Sequence, residues 1–204
     1  MASGSYTLRT RRLRPNPCFG CWRVSTEFRS TISVAVQQPD ASVIASDWRV
    51  EFDAIPGLSG IVLGTLWGSD AAPVYPDGGS EPSHHAWFPP IGGMRLVEFV
   101  LPPNSSPTNP GSRPSEQELA AAEKLAPGLL SHFDDRNPGM HRSATTDMLY
   151  VISGRCVLEL DDGSKTEIGT GDVVVQSGTM HRWHNPFAEP CRVLGALVGA
   201  RWTK

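Results

Sequence analysis

PGMHRSATTDMLYVISG (residues 138–154) and GDVVVQSGTMHRWHNP (residues 171–186) are the two stretches that decide the fold. Each stretch has a histidine directly after a glycine-containing turn, His141 in the first and His181 in the second. A run of apolar residues adjoins both, which is typical of strands that begin or end at a turn. Separate strands of one barrel can bring these two histidines together, although forty residues lie between their positions.

Short apolar runs between turn formers predict strands throughout the chain. The 20 glycines, 18 prolines and only 19% charged residues favour β structure over helix bundles. A helix is predicted only from the Ser115 and Glu118 capping box to about Leu125. The prediction is an all-β fold, an antiparallel barrel or sandwich, with strands at 48–52, 61–67, 94–101, 147–152, 172–176 and 191–199 and a hairpin turn at 161–163.

A single domain is predicted for residues 47–204, with its motif-bearing core at 132–200, because no Ser/Gly-rich linker divides the chain. Residues 1–46 are predicted to be a basic extension outside this domain. Six arginines stand against one glutamate in residues 1–29, which fits either a disordered segment or an organellar targeting peptide. The expected location is therefore cytoplasmic, with mitochondrial as the alternative.

Charge and hydropathy exclude two classes of partner. The net charge of −3 leaves −8 on the chain after residue 29, so the body has no basic face for nucleic acid. No run of about 18 apolar residues occurs, so no membrane partner is expected. Cys18 and Cys21 form a C-x2-C pair without a second pair at zinc-finger distance, which supports a structural zinc site poorly. Four scattered cysteines fit a reducing compartment better than a disulfide framework.

The first stretch resembles the first cupin motif, G-x5-H-x-H-x3/4-E-x6-G. His141 stands at the first histidine and Gly154 at the closing glycine, whereas Ser143 replaces the second histidine and Asp147 replaces the glutamate.

The second stretch is similar to the second cupin motif, G-x5-P-x-G-x2-H-x3-N. It runs from Gly171 through His181 to Asn185, one residue short and with Gln176 where proline is expected. The closer likeness is to small single-domain cupins with M-H-R-[ST]-x-T-x-D-Y and G-D-V-V-V-Q-x-G-T-x-H-x-W-x-N-P, and it covers roughly residues 47–200.

This resemblance implies a cupin jelly-roll barrel with an N-terminal strand arm. It also implies a tailoring enzyme for a small molecule, since cupins of this subgroup are encoded beside small-molecule pathways. Those pathways include fungal polyketide pathways that yield aromatic aldehydes, where the cupins are usually described as oxidoreductases. An aromatic or polyketide-type substrate is therefore expected, and a homodimer is possible, because cupins commonly dimerise.

In metal-binding cupins three histidines and a glutamate hold the ion, and the resemblance supplies His141, Asp147 and His181 here. Two histidines and one carboxylate suit iron with open positions, so one divalent Fe, Mn, Zn or Ni ion is the expected cofactor. The alternative is no metal. Ser143 is a poor ligand for such ions, and aspartate lacks one methylene of reach, about 1.5 Å.

Without a metal, the same three residues could act as a general acid/base set, because histidine titrates near neutrality and Asp147 could orient or charge it. Such a set would suit isomerisation, dehydration, cyclisation or decarboxylation. A third interpretation is a binding protein without catalysis, in which the histidines are ordinary barrel residues. In every case Ser143, Tyr150, Trp183 and Trp67 are predicted to line the ligand pocket.

Overall fold

The computed structural model describes residues 28–81, 83–104 and 114–203, and in these residues the chain forms antiparallel sheets with one α-helix. The all-β prediction with one short helix is therefore confirmed. Helix α1 spans Glu116–Leu125, and Leu130–His132 forms a short 3-10 helix. The strands are β1 Arg29–Gln37, β2 Ser42–Glu51, β3 Asp53–Ala54, β4 Val62–Ser69, β5 Met94–Leu101, β6 Thr145–Ser153, β7 Arg155–Leu160, β8 Lys165–Gly169, β9 Val173–Ser177, β10 His181–His184 and β11 Cys191–Gly199.

Two sheets enclose the core. The larger has the strand order β3-β4-β5-β11-β6-β9, and the smaller has the order β10-β7-β8. Leu149 and Val193 of the large sheet pack against Cys156, Ile168 and Trp183 of the small one, all at most 8% exposed. This packing of two apolar inner faces is what closes the barrel.

The alternation of side chains along β6 decides which residues face the barrel interior. Thr145, Asp147 and Leu149 are buried, whereas Met148 and Tyr150 between and beyond them are exposed. The same parity continues into β9, because Asp147 lies directly opposite Gln176 in the antiparallel register. The neighbouring strands β6 and β9 therefore place the polar side chains of Asp147 and Gln176 opposite each other in the barrel interior.

Local signals in the sequence place the helix and the hairpin correctly. The Ser115 side chain accepts the Glu118 backbone N–H, and the Glu118 carboxylate accepts the Ser115 backbone N–H, as the capping box predicts. The hairpin of β7 and β8 turns through residues 161–163, where Gly163 has a φ of +84° that favours glycine.

The N-terminal arm is a hairpin of β1 and β2 that covers the outer face of the large sheet. The Phe52 ring, just after β2, lies against Gly64, where an added Cβ would come within 2.3 Å of the ring. The Ser30 hydroxyl donates to the buried Glu98 carboxylate at 2.9 Å, which fixes β1 on the sheet. The predicted domain start at residue 47 falls inside β2, so residues 29–46 belong to this arm.

The long connection from β4 to β5 folds back over one end of the barrel. Arg95 is fully buried and donates to the carbonyl oxygens of Ser69 and Ala86, and it pairs with Asp70 at 2.5 Å. The Trp87 backbone N–H also donates to the Pro127 carbonyl oxygen at 2.8 Å. These bonds hold the aromatic end of the connection against the barrel.

Some predictions concern residues outside the described ranges. The arginine-rich segment up to residue 27, with Cys18 and Cys21, lies there. Within the described ranges, none of the helices has the length and hydropathy that a membrane crossing requires.

Candidate active site

His141 and His181 meet at the barrel interior through an isolated antiparallel bridge. The backbone N–H of His141 donates to the backbone carbonyl oxygen of His181 at 2.8 Å, and the backbone N–H of His181 donates to that of His141 at 3.0 Å. Their ring centroids lie 4.3 Å apart with the planes tilted by 54°. The structure therefore joins the two histidines that the two motif stretches carry.

Both imidazoles have a defined tautomer. Nδ1 of His141 lies 3.0 Å from the Gly139 carbonyl oxygen, and Nδ1 of His181 lies 2.9 Å from that of Thr179. A carbonyl oxygen only accepts, so Nδ1 carries the proton in each ring. Nε2 of each neutral ring is then left with a free lone pair.

The surroundings keep both rings uncharged at neutral pH. Removal from water, and repulsion by His181 when that ring is charged, lower the pKa of His141 from 6.5 to about 3. Burial also lowers the pKa of His181, which is 4% exposed. The Phe133 ring lies parallel to His141, with 4.6 Å between centroids, and keeps water from that side. The pair therefore offers two neutral bases.

Asp147 stands in the same cavity wall and is 8% exposed. Burial raises the pKa of its carboxyl group, while a hydrogen bond with the Thr145 side chain partly opposes the change. Oδ1 of Asp147 has no hydrogen-bond partner among the described residues. Ser143 is also buried, but its hydroxyl lies 2.6 Å from that of Thr145 and does not line the cavity. The structure therefore places Ser143, a predicted substrate contact, beside Thr145 and outside the lining of this cavity.

The cavity that holds these groups has a volume of about 100 Å³ and a mostly apolar lining. Trp183 is part of the lining, as predicted, and meets the His181 ring edge-on at 5.9 Å between centroids. Its polar residues are His141, Asp147, Gln176 and His181; its apolar residues are Leu58, Ile61, Leu63, Trp87, Phe88, Val97, Phe99, Leu101, Leu129, Phe133, Leu149, Trp183 and Leu197.

Two predicted pocket residues lie on the other side of the sheet. Tyr150 is 45% exposed on the outer face, because it alternates with the inward-facing Leu149. Trp67 stacks on Trp48 of the arm, with 5.8 Å between ring centroids, because a register shift after Thr65 turns it outward. Neither residue can contact a ligand in the cavity.

Gln176 and Phe133 are cavity residues that the sequence analysis missed. Gln176 ends the run DVVVQ, in which alternate residues point to the same face of β9. This alternation places Gln176 on the buried face and was the sequence pattern that could have predicted it. Its side chain is 3% exposed, and Oε1 has no partner among the described residues. Phe133 precedes the first motif, and no local pattern indicates that it would stack on His141.

The three predicted metal ligands, His141, Asp147 and His181, do not come together around one point in this structure. The free Nε2 lone pairs and the unpaired Asp147 oxygen are chemically suitable ligands. Within residues 28–81, 83–104 and 114–203, however, no three His, Cys, Asp or Glu side chains come close enough together to hold one ion. An ion bound by all three would require these side chains to move closer together.

Comparison with known proteins identifies the family. The Cupin domain model matches residues 134–197. Phomopsin biosynthesis cluster protein D of Diaporthe leptostromiformis is 38% identical over 132 residues, which cover 53% of this chain and 70% of that protein. This chain belongs to the cupin superfamily, as the two motif stretches indicated.

Two further fungal relatives are similar over shorter shares of their length. Oryzines biosynthesis cluster protein J of Aspergillus oryzae is 41% identical over 63 residues, which cover 29% of this chain and 35% of that protein. Cupin-domain-containing oxidoreductase fogC of Aspergillus ruber is 29% identical over 111 residues, or 53% of this chain and 49% of that protein. The chain thus spans about a third and about half of these two relatives.

Proposed function

We propose that this protein is a tailoring enzyme of secondary metabolism that transforms a small aromatic or polyketide-type molecule inside the barrel. The observation that carries the proposal is that two neutral imidazoles and a buried carboxyl group line one mostly apolar cavity. Apolar walls bind a flat ring, and a few polar groups on one side orient it and act on it.

The residues of the chain support proton transfer directly. Nε2 of His141 or His181 can remove a proton from a bound substrate, because a neutral imidazole in a water-poor site is a competent base. The raised pKa of Asp147 keeps more of its carboxyl group protonated than that of an exposed aspartate, so it can return a proton. Two bases and one acid on the same cavity wall form a general acid/base set.

An oxidoreductase is the reaction class that the relatives' names support, and fogC bears that description. The acid/base set would serve such a reaction by removing the hydroxyl proton of an alcohol. Oxidation of the alcohol would also remove a hydrogen from its carbon together with two electrons, and dioxygen, reduced to hydrogen peroxide, would be the acceptor. An ion held by His141, His181 and Asp147 would supply Lewis-acid or redox chemistry, but only if these side chains moved closer together than the structure places them.

A second candidate is metal-independent isomerisation, dehydration, cyclisation or decarboxylation. The defined tautomers of the histidine pair favour it, because both Nε2 atoms are available as bases without any ion. This chemistry needs proton transfer alone.

One experiment separates the candidates. The protein, purified without a histidine tag, is treated with EDTA or loaded with Fe, Mn, Zn or Ni, and is then incubated aerobically with single-ring aromatic alcohols and aldehydes. A parallel incubation in deuterated water follows hydrogen exchange at the ring and side-chain carbons by NMR. Alcohol oxidation that requires an ion supports the oxidoreductase. Exchange that persists in EDTA supports metal-independent proton transfer.

Variants of the two histidines provide the decisive control for both candidates. Either activity should be lost in His141→Asn and His181→Asn and retained in Tyr150→Phe, which changes the outer face. A protein that binds aromatic compounds tightly, but turns over none of them in any of these conditions, would contradict the proposal and favour a binding protein.

A further inference from the structure

The polar side of the cavity contains two buried oxygen atoms that lack hydrogen-bond partners. They are Oδ1 of Asp147 and Oε1 of Gln176, on side chains that are 8% and 3% exposed. Nearly all buried polar atoms in folded proteins have a partner, so an unpaired one requires an explanation. Arg182 Nε is the remaining unpaired buried side-chain atom in the described residues, and it belongs to a side chain outside the cavity lining.

The two unpaired oxygens belong to directly opposed residues. Asp147 of β6 and Gln176 of β9 are register partners, and both side chains line the cavity. The Gln176 amide nitrogen lies 3.5 Å from the Thr179 hydroxyl oxygen, so the amide oxygen is the end left over. The register therefore places two acceptors side by side on one wall.

The histidines extend this row of acceptors. The Nδ1 protons of both rings are used by backbone carbonyls, so Nε2 of each neutral ring can only accept. An acceptor-only ligand, such as an ether or a ketone without hydroxyl groups, would leave the Asp147 and Gln176 oxygens unpaired. A ligand with hydroxyl or amine hydrogens would satisfy them.

The size of the cavity restricts the rest of the ligand. A volume of about 100 Å³ is smaller than that of an apolar cavity that holds one benzene ring, about 150 Å³, so the space admits at most one ring. The rings of Phe99, Phe133 and Trp183 form aromatic walls that suit a flat ligand. One ring therefore fills the space.

We infer that the substrate is a single aromatic ring that bears two hydrogen-bond-donor substituents, such as a dihydroxybenzene, and that Asp147 and Gln176 recognise those donors. The inference rests on the proposed function only in taking the cavity as the substrate site. It makes Gln176 a specificity residue at a position where the cupin motif has proline.

The test compares a diol with its ether. Binding of resorcinol and of 1,3-dimethoxybenzene to the full chain in EDTA is measured by calorimetry or by ligand-observed NMR. Resorcinol should bind at least about tenfold more tightly, because each buried acceptor that a ligand fails to satisfy weakens binding. Equal or tighter binding of the ether would overturn the inference, and this comparison requires no variant.

Two substitutions then assign the preference to residues. Gln176→Met and Asp147→Leu remove the two acceptors, and the double variant should bind the diol and the ether within about twofold of each other, because the acceptors are the source of the preference. Tyr150→Phe, which removes a hydroxyl from the outer face, should keep the full preference. A preference that survives in the double variant contradicts the assignment.

Two further outcomes separate this inference from the proposed function. A diol preference that appears only with an added divalent ion and disappears in EDTA would mean that the ion, and not the two side-chain oxygens, binds the diol, which overturns the inference. A diol preference in EDTA without any reaction that depends on His141 or His181 supports the inference and contradicts the proposed enzyme.

Discussion

The inner and outer faces of β6 and β9 are made of alternate residues of the same two strands, yet their chemistry differs. On the inner face Asp147 and Gln176 are buried with unpaired oxygens. On the outer face Tyr150 and Val175 are 45% and 63% exposed. Exposed apolar side chains are ordinary and cost little, whereas unpaired buried polar atoms destabilise the fold. The inner face therefore shows the features of a site, and the outer face those of a surface.

The largest expected effect follows from replacing an inner-face base. His141→Asn or His181→Asn should reduce turnover by about 10²- to 10⁴-fold, the usual contribution of a general base. Turnover of Tyr150→Phe should stay within about twofold of the unchanged protein. The rates of all three variants are compared under identical conditions, and a Tyr150→Phe loss as large as the histidine losses would remove the distinction between the faces.

The next largest effect is a loss of stability at the outer face of the large sheet, where the N-terminal arm covers it. Phe52→Ala should lower the free energy of unfolding by about 3 kcal/mol, because the ring is 2% exposed and its loss leaves a cavity over Gly64. Val175→Ala, on the uncovered part of the same sheet, should change it by less than about 0.5 kcal/mol. Urea denaturation measures both, and equal losses would show that the arm adds no packing.

The ionisation of Asp147 gives a smaller effect with a definite sign. Burial raises its pKa above 3.8, so at neutral pH the folded protein loses stability by holding the charged form. Asp147→Asn should therefore raise the free energy of unfolding at pH 7, because the amide carries no charge to bury. The difference should vanish below pH 3.8, where both side chains are neutral. A stabilisation that is equal at both pH values would exclude ionisation as the cause.

The low pKa of His141 predicts a pH dependence of stability with the opposite sign to that of Asp147. Between pH 6.5 and about 3 the unfolded chain binds a proton at this residue that the folded chain does not. Stability should thus fall as the pH falls through this window, by at most about 1.4 kcal/mol per pH unit from this group. His141→Asn should reduce the slope. An unchanged slope would indicate that His141 is protonated in the folded protein.

Much of this fold could be predicted from the sequence, because short local motifs mark its turns and its helix, and polar and apolar residues alternate along several strands. The capping box, the hairpin turn at 161–163 and the strands from β4 onward lie where they were expected. Strand β1 was not predicted, although polar and apolar residues alternate in RSTISVAVQ. The arginine-rich composition of the preceding residues favoured an extension outside the domain. Burial of that strand depends on the distant outer face of the large sheet, which no local pattern reveals.

The candidate site was predicted in part, for similar reasons. The motif resemblance located His141, Asp147 and His181, and parity along the second stretch correctly placed Trp183 with His181. Trp67 was placed wrongly because a bulge reverses parity within β4. Tyr150 was expected to line the pocket, but it lies two residues after Met148 and therefore on the same outer face of β6.

Two neutral imidazoles that present Nε2 to a ligand are the defining feature of the barrel interior. Nitrogen-15 NMR of the histidine side chains, followed from pH 8 to pH 3, tests this feature, since the nitrogen shifts report the tautomer and the charge of each ring. Both rings should carry the proton on Nδ1, and His141 should stay neutral down to about pH 3. Protons on Nε2, or a His141 pKa at or above 6.5, would contradict it.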